Sequence, residues 1–424
     1  MKILITNIVT LNGGDYAILK SMMSILKRAY GDNIEFIVYD FHSSVATKYY
    51  PDIHFEHTLY NKYKNRTTIG FRQLFHKITK KASPLERLML AAKLSSKGLG
   101  SLVSLLLSRD EQKDFDHYKS ADLIISSGGT YLVENYSLTA RLYDYYFTLA
   151  LSKPLVFFTQ SLGPFTNPYN IAALKDILNR ACLILLRDKG SFENLVNINV
   201  DITKARICSD VVFADADLLL LSEAKNRKIQ EPVKVGISVR DWQYFKNRTQ
   251  NKGTEKYYNS VAAICNYITN ELGGEVVFIS TCQAIDEYHV DDSKTAQRIY
   301  NLLNDATKAK TTVNNMFHTP EDFKSIIGKF DIMISTRLHG AIQSLDVGVP
   351  VLPIAYEFKT KELFIKLIDE KFILDIDTID EQEAVNVFVD FYKALPSLRK
   401  HLFEQVEKEH FSAMKAKEYL LKIL

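Results

Sequence analysis

At 424 residues the chain is too long for one typical domain and long enough for two, each with its own buried core. Hydrophobic residues make up 46% and charged residues 24%, the mix of an ordinary globular protein. The net charge of only +3 gives no reason to expect a nucleic-acid partner.

The charge is unevenly placed. Residues 60–100 hold ten Lys or Arg against one acid, Glu86, so the partner surface is expected to be local. Cys182, Cys208, Cys265 and Cys282 have neither metal-ligand nor disulfide-framework spacing and read mainly as buried thiols. The first apolar run stops at Asn7, as a first strand does and a signal peptide does not. No run approaches the roughly 18 apolar residues of a membrane span, so the expected location is the cytoplasm.

In chain order, short β-branched runs alternate with longer helical patterns, the mark of parallel α/β architecture. Strands are expected near residues 2–6, 35–38, 123–126, 155–159 and 183–186, then 235–239, 276–280, 332–335, 351–354 and 372–374. Intervening helices include 16–30, 254–271, 292–304, 320–329 and 338–346. The expected architecture is two Rossmann-like, doubly wound domains, 1–220 and 232–395, facing each other across a cleft. Residues 218–234 read as the linker, and a last helical stretch, 396–424, as crossing back to the first domain.

Residues 60–118 break the alternation and read as an inserted basic helical segment. Leu85, Leu88, Met89, Leu99, Leu102, Val103 and Leu106 recur at helical spacing, with Arg87, Lys93 and Lys97 off that stripe. The favoured expectation is a stripe packed on the main body. The alternative is a basic amphipathic surface, residues 60–107, lying on anionic lipid at the inner face of the cell membrane.

Candidate site residues fall where strands meet helices. Asn12-Gly13-Gly14-Asp15 follows the first strand; its glycines let backbone N–H groups approach an anion, and Asp15 can cap the helix or orient a hydroxyl. Ser127-Gly128-Gly129-Thr130 ends another strand at the same expected sheet edge, where open parallel sheets bind ligands. Gln160-Ser161-Leu162-Gly163-Pro164 is expected to complete a polar rim. Arg187 ends the next strand with Asp188 or Glu193 as structural partner, ahead of Ser191, and Ser209-Asp210 reads as a turn or capping pair. In the second half, Arg240 points toward the cleft and Trp242 anchors. The stretch Glu287-Tyr288-His289-Val290-Asp291-Asp292 reads as a solvated loop entering an Asp-capped helix, not as a metal cluster. Ser335-Thr336-Arg337-Leu338-His339-Gly340 and Lys359 close the series with a bidentate anion grip, a proton carrier active near neutral pH and a mobile charge. That trio suits a small, highly anionic substrate.

Taken in order, Asn12-Gly13-Gly14-Asp15, Gly128-Gly129, Gln160 to Pro164, Arg187 to Ser191, Ser209-Asp210, Val239-Arg240, Arg337-Leu338-His339 and Tyr356 to Lys359 resemble the polysaccharide pyruvyltransferase family. The resemblance runs from residue 1 to about 370 and leaves 60–118 outside. Two departures, Val211 where the family has proline and Thr336 within the Ser-Arg-x-His motif, touch no charged group. The resemblance implies a fold like that of GT-B glycosyltransferases. It also implies transfer of the pyruvyl group of phosphoenolpyruvate to a lipid-linked or nucleotide-linked saccharide, as a ketal, in surface-polysaccharide assembly. Arg187, Arg337, His339 and Lys359 match the donor-activating positions. His339 would be the general acid, and the remaining substrate contacts would come from Arg240, Asn12, Gly14, Asp15, Gly128, Gly129, Gln160, Ser191 and Asp210. Asp15 and Asp210 are both open as the base; no redox cofactor or metal is expected. Competing readings are a nucleotide-sugar glycosyltransferase on the same scaffold and a non-enzymatic binding subunit.

Overall fold

The computed structural model describes residues 1–65 and 82–423. It divides into two α/β units. The first comprises Met1–Thr10, Ile18–Val211 and Met414–Leu424, the second Leu11–Ala17 and Val212–Ala413.

Among the described residues the first unit has eight strands: β1 (Lys2–Ile8), β2 (Glu35–Asp40), β3 (His54–His57), β4 (Leu123–Ser126), β5 (Gly129–Leu132), β6 (Leu155–Leu162), β7 (Leu183–Leu186) and β8 (Ala205–Ile207). Their order is β3-β2-β1-β4-β6-β7-β8, with β5 paired beside β6, and every pairing is parallel. The second carries six strands: β9 (Lys234–Ser238), β10 (Glu275–Phe278), β11 (Thr311–Val313), β12 (Ile332–Ser335), β13 (Val351–Ala355) and β14 (Leu374–Asp375), ordered β11-β10-β9-β12-β13-β14 and again all parallel. Each sheet reverses direction of growth once, between β1 and β4 and between β9 and β12. Such switch points open a crevice at the carboxyl ends of the strands, where ligands bind.

The interior strands are legible because parallel sheets are covered on both faces. Leu123-Ile124-Ile125-Ser126, Leu183-Ile184-Leu185-Leu186 and Ile332-Met333-Ile334-Ser335 are buried at every position. The pattern misses β3, β5, β8 and β11. Three of these are the polar, short outer strands of their sheets, where one side needs no apolar cover. The expected strand at 372–374 is displaced: Phe372 lies in a 3-10 turn and β14 starts at Leu374.

Helix starts follow capping chemistry. Ser83 and Ser108 open helices Pro84–Ser96 and Arg109–Ser120 with reciprocal Ser–Glu capping boxes, and Asp188 opens Lys189–Asn197 by accepting from the Ser191 amide at 2.6 Å. The stretch read as a linker contains helix Leu218–Ala224, because the Asp217 carboxylate accepts from the Leu219 and Leu220 amides. The C-terminal helix runs Glu381–Leu420 and continues through Pro396, which the sequence reading takes as its start.

The inserted segment is part of the first unit's core. Leu59, Tyr63, Leu88, Ala91, Ala92, Val103, Leu107, Phe115 and Tyr118 are buried in one cluster with Leu4, Ile37 and Ile124 of the sheet. Arg87 does not lie off the stripe as expected. It is buried and paired with Glu111, while Lys62 reaches the buried Asp114 carboxylate at 2.7 Å. Residues 66–81 of the basic segment lie outside the described residues.

Candidate active site

Two cationic centres occupy the carboxyl edges of the sheets, one in each unit. In the first, Arg187 follows β7 directly and its guanidinium is fully engaged. Nε donates to Ser161 Oγ at 2.8 Å, Nη2 to Thr130 Oγ1 at 2.8 Å and Nη1 to the Asp210 carboxylate at 2.5 Å. The Ser161 hydroxyl passes its own proton to Asp188 at 2.6 Å, and the Ser191 hydroxyl accepts from the Leu162 amide at 2.8 Å. The sequence therefore misplaces the partner of Arg187, which is Asp210 and neither Asp188 nor Glu193. Asp188 is occupied as a helix cap, and Glu193 pairs with Lys189 one turn away.

Gln160 does not line an open rim either. Strand β6 continues to Leu162, Gln160 is wholly buried, and its amide ties β6 to the main-chain carbonyls of Ser126 and Ser127 at the end of β4. That tie shapes the adjoining glycine turn. A Cβ on Gly128 would meet Thr159 Oγ1 at 2.8 Å, and Gly129 has φ +118°, which only glycine adopts readily.

In the second unit the site is assembled around the N-terminus of helix Leu338–Asp346, at the switch point after β12. Arg337 grips Asp292 with two parallel bonds, Nε to Oδ2 at 2.8 Å and Nη2 to Oδ1 at 2.6 Å. Asp292 is 1% exposed and also accepts from Ser280 Oγ at 2.6 Å. Burial alone would lower the Arg337 pKa. The Asp292 carboxylate overrides it and holds the guanidinium charged far above the ordinary arginine range. Arg337 Nη1 donates to no group among the described residues, leaving one edge of the fork for an incoming oxyanion.

His339 is fixed by what it packs against. The loop Leu11–Ala17 belongs to this unit, and a Cβ on Gly14 would stand 2.6 Å from His339 Nδ1. A Cβ on Gly13 would stand 2.0 Å from the Thr281 carbonyl oxygen. Both glycines are required by close approach, not by backbone torsion. Asn12 Oδ1 accepts from the Gly14 amide at 3.0 Å and from the buried Cys282 thiol at 3.1 Å, which stitches the loop to the residues after β10. Burial pushes the Cys282 thiol up, so it donates and does not ionise. Asp15 lies in the first turn of helix Gly13–Tyr30.

Arg240 follows β9, the other switch-point strand, and lies over the Tyr356 ring at 4.3 Å and the Trp242 ring at 5.3 Å. Burial raises the Tyr356 phenol, while Arg240 and Arg337 both pull it back, so the two arginines share this tyrosine as an electrostatic neighbour. Lys359, in the first turn of helix Phe358–Leu367, is largely covered and pairs with Glu357 at 3.0 Å. Asn12, Gly14, Arg337 and His339 thus come together, with Arg240 joined to Arg337 through Tyr356. Asp292 and Cys282 are the residues the sequence reading does not assign to the site, and Tyr356 enters it only as the start of the Tyr356 to Lys359 motif. Asp291 caps its helix as expected, but Asp292 is a buried counter-ion and not part of a solvated loop.

The fold is GT-B-like: two parallel sheets, each with a buried arginine–aspartate pair beyond its strand ends. The sequence profile of the polysaccharide pyruvyl transferase family matches residues 12–357, and the chain belongs to that family. It is therefore a transferase of polysaccharide biosynthesis. Among curated relatives it is 24% identical over 334 residues to the amylovoran biosynthesis protein AmsJ of Erwinia amylovora, covering 77% of this chain and 79% of that one. Among solved structures it resembles HepE of Anabaena bound to UDP, with TM-score 0.55, 13% identity and coverage of 100% and 99%. It also resembles the UDP-GlcNAc 2-epimerase of Neisseria meningitidis, with TM-score 0.56, 12% identity and full coverage of both chains.

Proposed function

We propose that the protein transfers the pyruvyl group of phosphoenolpyruvate to two hydroxyls of a saccharide, forming a cyclic ketal and releasing phosphate. The observation that carries this reading is Arg337, locked bidentately on buried Asp292 two residues before a histidine pressed against Gly14. The donor is a carboxylate and a phosphate on one vinyl carbon. Arg337 and Lys359 supply preorganised positive charge for those groups, and Arg240 stands behind Tyr356 as a third cation. Arg187, held by Asp210 in the first unit, is a further donor-binding candidate.

His339 would protonate the methylene carbon, which becomes the methyl group. The oxocarbenium-like carbon left behind is attacked by one sugar hydroxyl, the carbon–phosphate-oxygen bond breaks, and the second hydroxyl closes the ketal. Of the two hydroxyl protons, one replaces the proton given by His339 and the other leaves on phosphate. Asp15, close to this loop, and Asp210 are the carboxylates available as base.

His339→Ala should abolish phosphate release while phosphoenolpyruvate still raises the melting temperature. A wild-type rate in that variant would remove His339 from the mechanism. Stabilisation of the wild-type protein by UDP-glucose but not by phosphoenolpyruvate would replace the whole reading with nucleotide-sugar glycosyl transfer.

We further propose that the exposed face of the inserted segment lies on an anionic membrane. Among the described residues of the inserted segment, Leu90, Leu99, Leu102 and Leu105 are exposed, Leu105 at 57%, alongside the exposed Lys93 and Lys97. Apolar side chains interspersed with lysines match a lipid surface of negative charge. Co-sedimentation with vesicles containing 30% phosphatidylserine tests this, as a composition of roughly physiological charge. Equal recovery with neutral vesicles would refute it. No helix among the described residues is long and apolar enough to cross a membrane.

A further inference from the structure

One arginine beyond the carboxyl end of the first sheet is held without a carboxylate bond. Arg141 lies in the first turn of helix Thr139–Ala150, where a cation opposes the helix dipole. Arg187, Arg337 and Arg87 each hold a carboxylate, whereas Arg141 forms no ion pair among the described residues. It is nonetheless held in place. Nε donates to Asn7 Oδ1 at 2.5 Å and Nη1 to the Ser137 carbonyl at 3.1 Å, and Nη2 donates to no described group. The guanidinium stands 5.3 Å from the centroid of the Tyr131 ring and 6.0 Å from that of Tyr136, which is 55% exposed.

Its anchor is strained. Asn7, near the carboxyl end of switch-point strand β1, has φ +62°, a conformation that costs a non-glycine residue of order 1–3 kcal/mol and gathers at functional sites. The surroundings hold it there: Asn7 Nδ2 donates to Ser126 Oγ at 3.1 Å, which in turn shares a proton with the Tyr145 hydroxyl at 2.8 Å. A chain of buried hydrogen bonds thus fixes an asparagine in a costly conformation, and that asparagine presents, beside two tyrosines, an arginine that forms no ion pair among the described residues and has only the buried Asp144 as a nearby carboxyl.

We propose that Asn7, Tyr131, Tyr136 and Arg141 form the acceptor subsite and bind a phosphorylated saccharide. Arg141 takes an oxygen of the phosphate or diphosphate that carries the sugar, and the tyrosine rings stack on the sugar's C–H face. This rests on the transferase reading above, in that a saccharide is the acceptor; none of the four residues belongs to the donor centre of that reading. The phosphoryl group has two sources, a nucleotide and a lipid carrier, and the subsite chemistry is common to both.

The test is calorimetric binding to the full chain of three probes: UDP-glucose, glucose linked to farnesyl diphosphate, and free glucose. One of the two phosphorylated probes should bind, and its identity tells nucleotide from lipid carrier; free glucose should bind at least tenfold more weakly. Arg141→Gln should weaken the bound probe by tenfold or more and leave phosphoenolpyruvate affinity within twofold. Tyr136→Ala, at an exposed position that should not affect folding, should weaken it by about fivefold. Failure of both phosphorylated probes on a protein that binds phosphoenolpyruvate overturns the subsite, as does unchanged probe affinity in both variants or an equal loss of phosphoenolpyruvate. Failure of phosphoenolpyruvate alone, with probe binding lost in Arg141→Gln, refutes the donor assignment and the acceptor role while upholding Arg141 as a contact to a phosphorylated saccharide.

Discussion

Replacing Gly14 by alanine separates the position of His339 from the stability of the fold. The ideal Cβ at residue 14 falls 2.6 Å from His339 Nδ1 and 3.0 Å from His339 Cβ. To regain ordinary contact at 3.4 Å the ring nitrogen must retreat by about 0.8 Å. Gly14 is the second residue of helix Gly13–Tyr30, where alanine gains about 1 kcal/mol of helix propensity. Overpacking costs about 1–3 kcal/mol, so the net loss is about 0–2 kcal/mol. For a unit of some 200 residues that lowers the melting temperature by no more than about 8 °C. A displacement approaching 1 Å at a proton donor costs about 100-fold in turnover. The assay is phosphate release from phosphoenolpyruvate with a saccharide acceptor, beside a melting curve and the imidazole resonances of histidine-labelled protein. Gly14→Ala should melt within 8 °C of wild type by that estimate, shift one imidazole and turn over about 100-fold more slowly. Full turnover, or an unmoved imidazole spectrum, would refute the reasoning. Gly13→Ala is the contrast: its Cβ meets a main-chain oxygen at 2.0 Å, which cannot swing aside, so folding should suffer first.

Three further outcomes follow from buried charges. Asp292→Asn leaves the Arg337 cation without its counter-charge and should lower stability by about 3–5 kcal/mol, read from denaturant midpoints; a change under 1 kcal/mol would mean the pair is solvated. Arg87→Ala should cost a similar 3–5 kcal/mol by leaving Glu111 buried and unpaired, and Arg87→Ala with Glu111→Leu should recover most of it. Asp144 is fully buried, with the Thr6 hydroxyl and nearby Arg141 only partly offsetting burial and Asp114 adding to it, and its carboxyl is pushed up to about 7. Because the folded state holds this proton more tightly than the unfolded chain, at about 3.9, its stabilising contribution is complete below about pH 4 and lost as pH rises through 7. Asp144→Asn should therefore gain on wild type steadily from pH 4 to 7.5, measured by urea midpoints; a constant difference across that window would contradict the assignment.

Much of this protein is written locally. Leu183-Ile184-Leu185-Leu186 can only be an interior strand, Ser83 with Glu86 can only open a helix, and the ordered motifs from Asn12 to Lys359 carry the family. Burial on both faces, capping and strand-end chemistry are properties of neighbours in sequence, so the chain declares them. The partners do not follow. Asp210 and not Asp188 holds Arg187; Asp292, dressed as a helix-start acid, holds Arg337; Gln160 turns inward because β6 runs three residues beyond its expected end at 159. The closeness of Gly14 to His339, across more than 300 residues of chain, and the tie between Arg141 and Asn7 depend on distances between segments that share no local signal. Sequence alone settled the fold class and the family. Tertiary packing decided which charges are neutralised by an internal partner, because electrostatic pairing depends on separation in space and not on separation along the chain.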